Sequence, residues 1–302
     1  MKGALALAMF KTGSAVARAA PAGVATAVVP ILGRAVAMVG GERRRQVERN
    51  LERVVGRDLA GASLRRAVGV TFGSYGRYWT ESFRLPGTAS AAIAAGFDID
   101  GWDQVETALE NGRGAILAMP HLGGWEWGGF WIATVRAHQV TAVVEPLEPP
   151  ELFEWFAELR RSLGMHVVAL GPGAGVAVLK ALRANHVVCL LSDRDLDGAG
   201  VEVEFFGERT TLPGGPATLA IRSGAPLLPA AVYFDGPRRY SLVRPPLVTA
   251  RHGRLRDDVT RITQDLAREL EALIRPAPEQ WHLMQPNWPS DPGYRQSRRP
   301  GR

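Results

Sequence analysis

The chain contains a single cysteine, Cys189, among its 302 residues. One thiol cannot form an internal disulfide, so the cysteine-rich frameworks of small secreted domains are excluded. A reducing compartment is therefore the simpler expectation. Cys189 itself lies in the apolar stretch VVCLLSD, which is typical of a buried strand.

Lysine is also scarce. Only three of the 36 basic residues are lysines (Lys2, Lys11 and Lys180), so the net charge of +6 comes almost entirely from arginine. The planar fork of arginine suits phosphate and carboxylate groups. This balance fits an anionic membrane surface, a phosphorylated substrate or a nucleic acid, and it fits equally a genome rich in arginine codons.

Long hydrophobic runs are absent as well. The first apolar stretch, residues 3–10, ends at Lys11, which distinguishes it from a secretory signal. The next, residues 19–33, contains two prolines and is shorter than the roughly 18 to 20 residues that span a bilayer. Residues 1–40 are therefore predicted to form one or two apolar or amphipathic helices.

Two interpretations of these N-terminal helices stay open. They either pack on the body of the protein or dock at a membrane interface. The docking interpretation combines their apolar residues with four basic side chains, Lys2, Lys11, Arg18 and Arg34.

The rest of the chain alternates between strand and helix patterns. Short apolar runs typical of buried parallel strands are GAILAMP, VTAVVE, HVVAL, VVCLLSD and PLLPAAVYF. Helical patterns cover residues 42–56, 64–85, 150–163, 175–184 and 256–275. The alternation predicts an α/β fold with a central, mostly parallel sheet flanked by helices, preceded by the N-terminal helical region. No repeat or linker divides residues 41–291, and 292–302 are expected to be a disordered tail.

The stretch AMPHLGGWEWGG, residues 118–129, follows a predicted strand. Sites in open α/β sheets form outside the carboxyl ends of strands, so this loop is the first candidate. His121 can act as a general base, with Glu126 placed to orient its imidazole. Gly123 and Gly124 let backbone N–H groups approach a ligand closely at the start of a helix. No protein nucleophile accompanies the pair, so a substrate hydroxyl would attack, unless His121 is purely structural.

Polar residues follow two other predicted strands. Glu145 ends VTAVVE, and residues 193–195 (DRD) follow VVCLLS, so these side chains are expected to converge with His121 at one sheet edge. Arg194 and Arg160 can bind phosphate through bidentate hydrogen bonds or stabilise an oxyanion. A local ion-pair cluster at residues 193–195 is the alternative.

Two other classes of function each fit part of the sequence. The segment HVVALGPGAGVAVLKALRANHVVCLLSD runs strand, glycine turn, helix, strand and acid, as in a dinucleotide-binding unit. Val176 occupies the place of the third glycine and Pro172 stiffens the turn, so an NAD(P)-dependent enzyme is kept only as an alternative. A basic, non-enzymatic adaptor would leave the His121 loop unexplained. The six histidines show no metal-ligand spacing, so no catalytic metal is expected.

Several blocks of the sequence resemble the lipid A lauroyl/myristoyl acyltransferase superfamily. PHLGGWEWGG resembles its His-x4-Asp/Glu motif, and LSDRDLDGAGVEVEFFGERTTLPGGPATLAIRSGAPLLPA resembles its second signature block. ERNLERVVG and SYGRYWTESFRL resemble its helical N-terminal region, and EQWHLMQPNW its C-terminal region. The similarity covers residues 45–291. Within the superfamily, the DRD tripeptide and the C-terminal stretch WHLMQPNWPSDP look most like the sequences of the actinobacterial enzymes that acylate phosphatidylinositol mannosides.

The resemblance implies a glycerolipid acyltransferase-like fold and a membrane-associated O-acyltransferase. A long acyl chain would move from acyl-CoA or acyl carrier protein to a sugar hydroxyl of a glycolipid. The acceptor would be a phosphatidylinositol mannoside, or else a lipid A-type glycolipid. No cofactor and no nucleic acid would be involved, and the protein would lie on anionic lipids at the cytoplasmic face of the inner membrane.

The resemblance also implies roles for individual residues. His121 would be the base, and Glu126 matches the acidic position of the motif. Asp195 would share the proton relay, with Asp193 as its competitor. Two further matches are polar positions lining the family's groove, Glu145 and Arg160, with Arg161 as the alternative to Arg160.

Aromatic residues surround the candidate loop: Trp125, Trp127, Phe130 and Trp131. They are either core residues of the following helix or the lining of an acyl-chain tunnel, and Phe206 carries the same ambiguity. Thr211 precedes a predicted helix, where capping explains it as well as a role in the site.

Overall fold

The computed structural model describes residues 2–39, 41–56, 58–196 and 198–297. The helices in these ranges are α1 (Lys2–Ala19), α2 (Ala22–Val39), α3 (Gly41–Val55), α4 (Gly61–Arg84), α5 (Ser90–Ala95), α6 (Trp102–Glu110), α7 (Trp125–Thr134), α8 (Pro150–Arg161), α9 (Ala174–Arg183), α10 (Gly215–Ser223), α11 (Leu255–Ile274) and α12 (Tyr294–Ser297). The strands are β1 (Phe97–Asp100), β2 (Ala115–Met119), β3 (Val140–Val144), β4 (Met165–Ala169), β5 (Val187–Leu191), β6 (Val201–Phe205), β7 (Glu208–Leu212), β8 (Leu227–Asp235) and β9 (Arg238–Val243).

Seven of the described strands form one sheet, in the order β1-β9-β8-β2-β5-β3-β4. The five strands from β8 to β4 are parallel to one another. β9 runs antiparallel to β8, and β1 runs parallel to β9. The predicted α/β fold with a mostly parallel, helix-flanked sheet is confirmed.

Both faces of the sheet are buried, which explains the uninterrupted apolar runs of its central strands. Side chains alternate along each strand, so Leu117 of β2 lies in the core shared with α7. Ile116, beside it in the sequence, lies in the core shared with α9, α10 and α11. The five predicted strands all form, and each predicted helix begins and ends within a few residues of the observed one.

The elements that sequence patterns did not predict are short or lie at an edge. β1 has four residues and β9 extends the sheet in the opposite direction, while β6 and β7 form a separate antiparallel hairpin. None of them carries the continuous apolar run of a strand that is buried on both faces. The four-residue helix α12 lies within the predicted tail, and residues 298–302 lie outside the described residues.

The N-terminal helices pack on α4 through close contacts. A Cβ atom on Gly33 of α2 would lie 2.7 Å from the Cα atom of Gly73, so the two backbones meet where only glycine fits. Phe10 of α1 packs edge-on against Phe156 of α8, with ring centroids 5.2 Å apart. Arg84 donates a hydrogen bond to the carbonyl of Ala20. The packing interpretation of these helices therefore holds for one of their faces.

The opposite faces of α1 and α2 present apolar side chains to solvent. Seven of them are 42% to 67% exposed: Leu5, Met9, Val16, Val28, Ile31, Leu32 and Val36. Lys11, Arg18 and Arg34 are exposed beside them, whereas the side chain of Lys2 lies outside the described part. Within the residues that the structure covers, we find no helix whose length and apolar character would let it cross a bilayer.

Candidate active site

The register of two neighbouring strands places His121 beside Asp193. β2 and β5 are paired so that Met119 lies opposite Leu191, and the chain continues for two residues beyond each. Nδ1 of His121 lies 2.6 Å from Oδ1 of Asp193, and the backbone N–H of His121 donates to Oδ2 at 3.0 Å. The same carboxylate therefore holds both the ring and the backbone of His121.

Asp193 is fully buried and carries a charge. Burial alone raises its pKa, but the charge and hydrogen bonds of His121 and the indole N–H of Trp281 outweigh burial and lower the pKa below its ordinary value. Nε1 of Trp281 donates to Oδ2 at 2.7 Å. An ionised Asp193 keeps the proton of a neutral His121 on Nδ1, and Nε2 is then free to accept a proton.

His121 lies on the wall of a cavity of about 840 Å³. The cavity curves around the carboxyl edge of the sheet and has an arm on each face. The α7 arm lies between the sheet and helices α7 and α8, and is lined by Met119, Gly129, Ala142, Met165, Cys189 and Leu191. The α9 arm lies on the other face, and is lined by Gly175, Val176, Val178, Leu179, Leu219 and Arg222.

Glu126 does not form the predicted contact with His121. Its carboxylate forms an ion pair with Arg160 and accepts a hydrogen bond from the hydroxyl of Tyr78 at 3.3 Å. The geometric reason is that Glu126 lies in the first turn of α7, where its side chain is directed towards α8 instead of the β5 loop. Burial opposes the charge on Arg160, but the negative charge of Glu126 outweighs it and raises the pKa of the guanidinium.

The interpretation of Asp195 as the relay acid also differs from the geometry. Asp195 lines the cavity, but its carboxylate accepts hydrogen bonds from the backbone N–H groups of Gly198 and Gly200, both at 3.1 Å, and from the hydroxyl of Thr211 at 2.5 Å. These contacts hold the loop that leads into β6. Asp193 is the acid that contacts His121, because it lies at the level set by the β2–β5 register.

Glu145 and Arg194 meet at the same sheet edge, which confirms their predicted convergence. Nη2 of Arg194 donates to Oε2 of Glu145 at 2.6 Å, and both residues line the cavity with His121. Arg160 lines it as well, whereas its neighbour Arg161 points to the surface and pairs with Glu154.

Four residues predicted to bind substrate lie outside the cavity lining: Gly123, Gly124, Phe206 and Thr211. A Cβ atom on Gly123 would lie 2.1 Å from the carbonyl oxygen of Val232, so this glycine serves close packing on β8. Gly124 starts α7 against Phe234. Phe206 packs in the core against Phe205, and Thr211 holds Asp195. The core interpretation of Phe206 therefore fits the geometry, whereas Thr211 lies in β7 and α10 has no side-chain cap hydrogen bond.

Trp125 does line the cavity, beside His121. Its indole stacks on Tyr78 with ring centroids 4.0 Å apart, and it meets the ring of His121 edge-on at 5.5 Å. Trp127, Phe130 and Trp131 instead belong to the core behind α7.

The C-terminal segment completes the site, and sequence patterns did not reveal its role. The backbone N–H of His282 donates to the carbonyl of His121 at 2.7 Å, and Leu122 forms an antiparallel bridge with Trp281. Nδ2 of Asn287 donates to the carbonyl of Asp193 at 3.1 Å. The stretch EQWHLMQPNW resembled the superfamily's ending, but only the folded chain shows that it returns to His121 and Asp193.

His282 is a buried, neutral imidazole on the cavity wall. Burial and the nearby His121 lower its pKa to about 3. Nε2 of His282 lies 2.8 Å from the hydroxyl of Ser74, while Nδ1 is buried without a hydrogen-bond partner among the described residues. A buried polar atom without a partner is rare, and the residue that carries this one lines the same cavity as His121.

The chain matches the model of the bacterial lipid A biosynthesis acyltransferase family over residues 7–290. It belongs to this family. A phosphatidylinositol mannoside acyltransferase of Mycolicibacterium smegmatis is 39% identical over 292 residues, which cover 93% of this chain and 91% of that protein. A phosphatidylinositol mannoside acyltransferase of Mycobacterium tuberculosis is 41% identical over 251 residues, covering 82% of this chain and 77% of that protein.

Membership in the family makes this protein an acyltransferase. The match overturns the alternatives of an NAD(P)-dependent enzyme and a non-enzymatic adaptor. The glycine turn that suggested a dinucleotide site is part of the acyltransferase cavity instead, where Gly173 and Gly175 line the α9 arm.

Proposed function

We propose that this acyltransferase moves a long acyl chain from an acyl thioester, on coenzyme A or acyl carrier protein, to a mannose hydroxyl of a phosphatidylinositol mannoside. The His121–Asp193 pair on the wall of a large, mostly apolar cavity is the observation that carries the proposal. The similarity to phosphatidylinositol mannoside acyltransferases along nearly the whole chain supports the choice of acceptor.

His121 is the general base in this mechanism. Nε2 takes the proton of the acceptor hydroxyl as its oxygen attacks the thioester carbonyl carbon. The tetrahedral intermediate collapses by breaking the C–S bond, and the leaving sulfur takes the proton back from Nε2. Asp193 stabilises the imidazolium that forms between the two steps, as an ion pair inside a water-poor site.

His282 supplies the donor for the developing oxyanion. When the Ser74 hydroxyl donates to Nε2, the proton of the neutral imidazole sits on Nδ1, the atom without a partner. Because Nδ1 is closed to solvent in this structure, a small shift of the ring or of the cavity wall on substrate binding exposes it to the thioester oxygen in this mechanism. The lowered pKa of His282 keeps the ring neutral beside a protonated His121.

The two arms of the cavity suit the two parts of the donor. The α7 arm is buried and apolar, so the acyl chain lies there. The α9 arm reaches the surface, where Val176 is 74% exposed and Arg222 is exposed, so the polar carrier enters on that side. Glu145, paired with Arg194 at the rim, offers carboxylate oxygens to sugar hydroxyls.

The exposed apolar faces of α1 and α2 support a location at a membrane surface. Apolar side chains bordered by Lys11, Arg18 and Arg34 favour an interface with anionic lipids. We assign the enzyme to the cytoplasmic face of the inner membrane as a peripheral protein, where acyl-CoA and acyl carrier protein are available.

Acyl transfer by the purified full chain tests the function. Palmitoyl-CoA or palmitoyl-acyl carrier protein is mixed with a phosphatidylinositol mannoside or a lipid A precursor, and products are read by mass spectrometry. The proposal expects an acylated mannoside, and a His121→Ala variant that loses almost all transfer while it stays folded. His166→Ala is the matched control, because His166 is exposed on β4 and bonds to Gln139 outside the cavity.

Acylation of the lipid A precursor alone would replace the proposed acceptor. Full activity of His121→Ala would refute the mechanism while leaving the acceptor in place.

A further inference from the structure

The α7 arm descends along the face of the sheet, from the catalytic edge to the opposite end of the strands. Met119 and Leu191 line it at the carboxyl ends of β2 and β5, and Cys189 lines it two residues deeper. Met165 lines it from the first position of β4, four residues before the strand ends at Ala169. Four residues of a strand correspond to a depth of about 13 Å.

The arm ends at this level. Met165 pairs in register with Val140, and Val140 pairs with Val187. Val140 and Val187 are fully buried and belong to the solid core below the cavity rather than to its lining. Met165 is therefore the floor of the arm on the sheet side.

Gly129 forms the opposite wall at the same level. It lies one turn of α7 beyond Glu126, and a Cβ atom added to it would come within 2.9 Å of Cε and 3.4 Å of Sδ of Met165. The atom in the way is the far end of a flexible side chain, which can move by rotation. A larger residue at position 129 would therefore push the thioether into the arm and shorten it.

We infer that Gly129 and Met165 together set the length of the acyl chain that this enzyme transfers. This inference rests on the proposed function, because it takes the α7 arm as the acyl site. Because Gly129 has no Cβ atom, the thioether of Met165 lies against it, and the two residues close the arm at this depth. One methylene group more or less in a hydrophobic pocket changes kcat/KM by about 10- to 200-fold, so a small change at this floor is measurable.

Chain-length competition tests the inference. The full-length enzyme and its variants receive an equimolar mixture of saturated acyl-CoA thioesters, from decanoyl to stearoyl, with a phosphatidylinositol mannoside as acceptor. Gly129→Ala is expected to lower kcat/KM for the longest chain that the wild type uses by about tenfold or more, and to leave shorter chains unchanged. Met165→Ala is expected to extend the profile to longer chains.

Two further variants separate chain selection from general damage. The double variant Gly129→Ala/Met165→Ala should return towards the wild-type chain-length profile, because the added methyl group no longer displaces a thioether. If the two substitutions only destabilised the protein, their separate losses of activity would add in the double variant. Gly87→Ala is the matched control, since Gly87 lies outside the cavity lining and a Cβ atom there meets nothing within 4 Å.

The outcomes distinguish this inference from the proposed function. An active wild type whose profile is unchanged in both single variants overturns the inference alone. A wild type that transfers no acyl chain from any thioester overturns the proposed function, and the inference with it. If Gly129→Ala fails to fold, an unchanged profile in Met165→Ala is enough to reject the inference.

Discussion

Replacing Asp193 by asparagine is the sharpest test of the catalytic pair. Asp193 accepts hydrogen bonds from Nδ1 and the backbone N–H of His121 and from Nε1 of Trp281. An amide offers one acceptor oxygen and one NH2 group, so one of its N–H groups faces the imidazole. The ring then keeps its proton on Nε2, where no substrate proton can be accepted.

The expected loss follows from this change of tautomer. The same substitution in a serine protease triad lowers kcat by about 10⁴-fold, which corresponds to about 5.5 kcal/mol of activation free energy. The cost in folding is smaller, because one buried donor without a partner destabilises a protein by about 1 to 3 kcal/mol. We therefore expect Asp193→Asn to be folded and nearly inactive.

The assay measures kcat for acyl transfer from palmitoyl-CoA, together with the melting temperature of each variant. Asp195→Asn is the control, because the carboxylate of Asp195 accepts hydrogen bonds from Gly198, Gly200 and Thr211 and thereby holds the loop that leads into β6. We expect this control to keep kcat within about tenfold of the wild type. If Asp193→Asn stays active while Asp195→Asn loses transfer, the relay acid has been misassigned and the reasoning from strand register is wrong.

Three other outcomes are expected. Burial lowers the pKa of the His282 imidazole to about 3, from its ordinary value of 6.5. Between pH 6.5 and pH 3 this histidine is protonated in the unfolded chain but neutral in the folded protein. The free energy of unfolding therefore falls as the pH falls, by about 2 kcal/mol at pH 5. Urea titrations of the wild type and of His282→Gln at pH 7 and pH 5 measure this change. The variant should lack the loss of stability at pH 5, and equal losses in the wild type and the variant would contradict the prediction. Glu126→Gln leaves the buried charge of Arg160 without its partner, so the free energy of unfolding should drop by about 3 to 5 kcal/mol. The double variant Glu126→Gln/Arg160→Met removes that charge as well and should recover much of the lost stability. Ile31→Glu should reduce the fraction of protein that floats with anionic vesicles. Val248→Glu is the control and should not reduce it, because Val248 is 68% exposed on another part of the surface. Equal flotation of the two variants would argue against docking through α2.

Local patterns in the sequence were sufficient for the elements that are buried on two faces. The runs AILAM and VVCLL are apolar throughout, which is typical of central strands or core helices. Their length and their flanking residues indicated strands. The same local signals placed His121 in a loop after a strand. The four-residue strand β1 is too short to show a clear period. β6 alternates apolar and acidic residues (VEVEF), which is the signal of a half-buried strand that the search for apolar runs missed.

The order of strands in the sheet decided which acid serves His121. Glu126 is five residues from His121 in the sequence, whereas Asp193 is 72 residues away and yet 2.6 Å distant. β5 lies next to β2 only because the chain crosses over β3 and β4 first, and no local pattern encodes that order. Glu126, near in sequence, pairs with Arg160 because the start of α7 turns its side chain towards α8.

The sequence by itself determined the α/β class, the position of the candidate loop and the residue types that it offers, because strand and helix periodicities act over a few residues. The tertiary structure alone decided the pairing of His121 with Asp193, the return of His282 to the catalytic edge and the meeting of Gly129 with Met165 at the floor of the cavity. Each of these contacts joins residues from separate elements. Their distances depend on how the sheet is ordered and how helices pack on it, and these are properties of the whole folded chain.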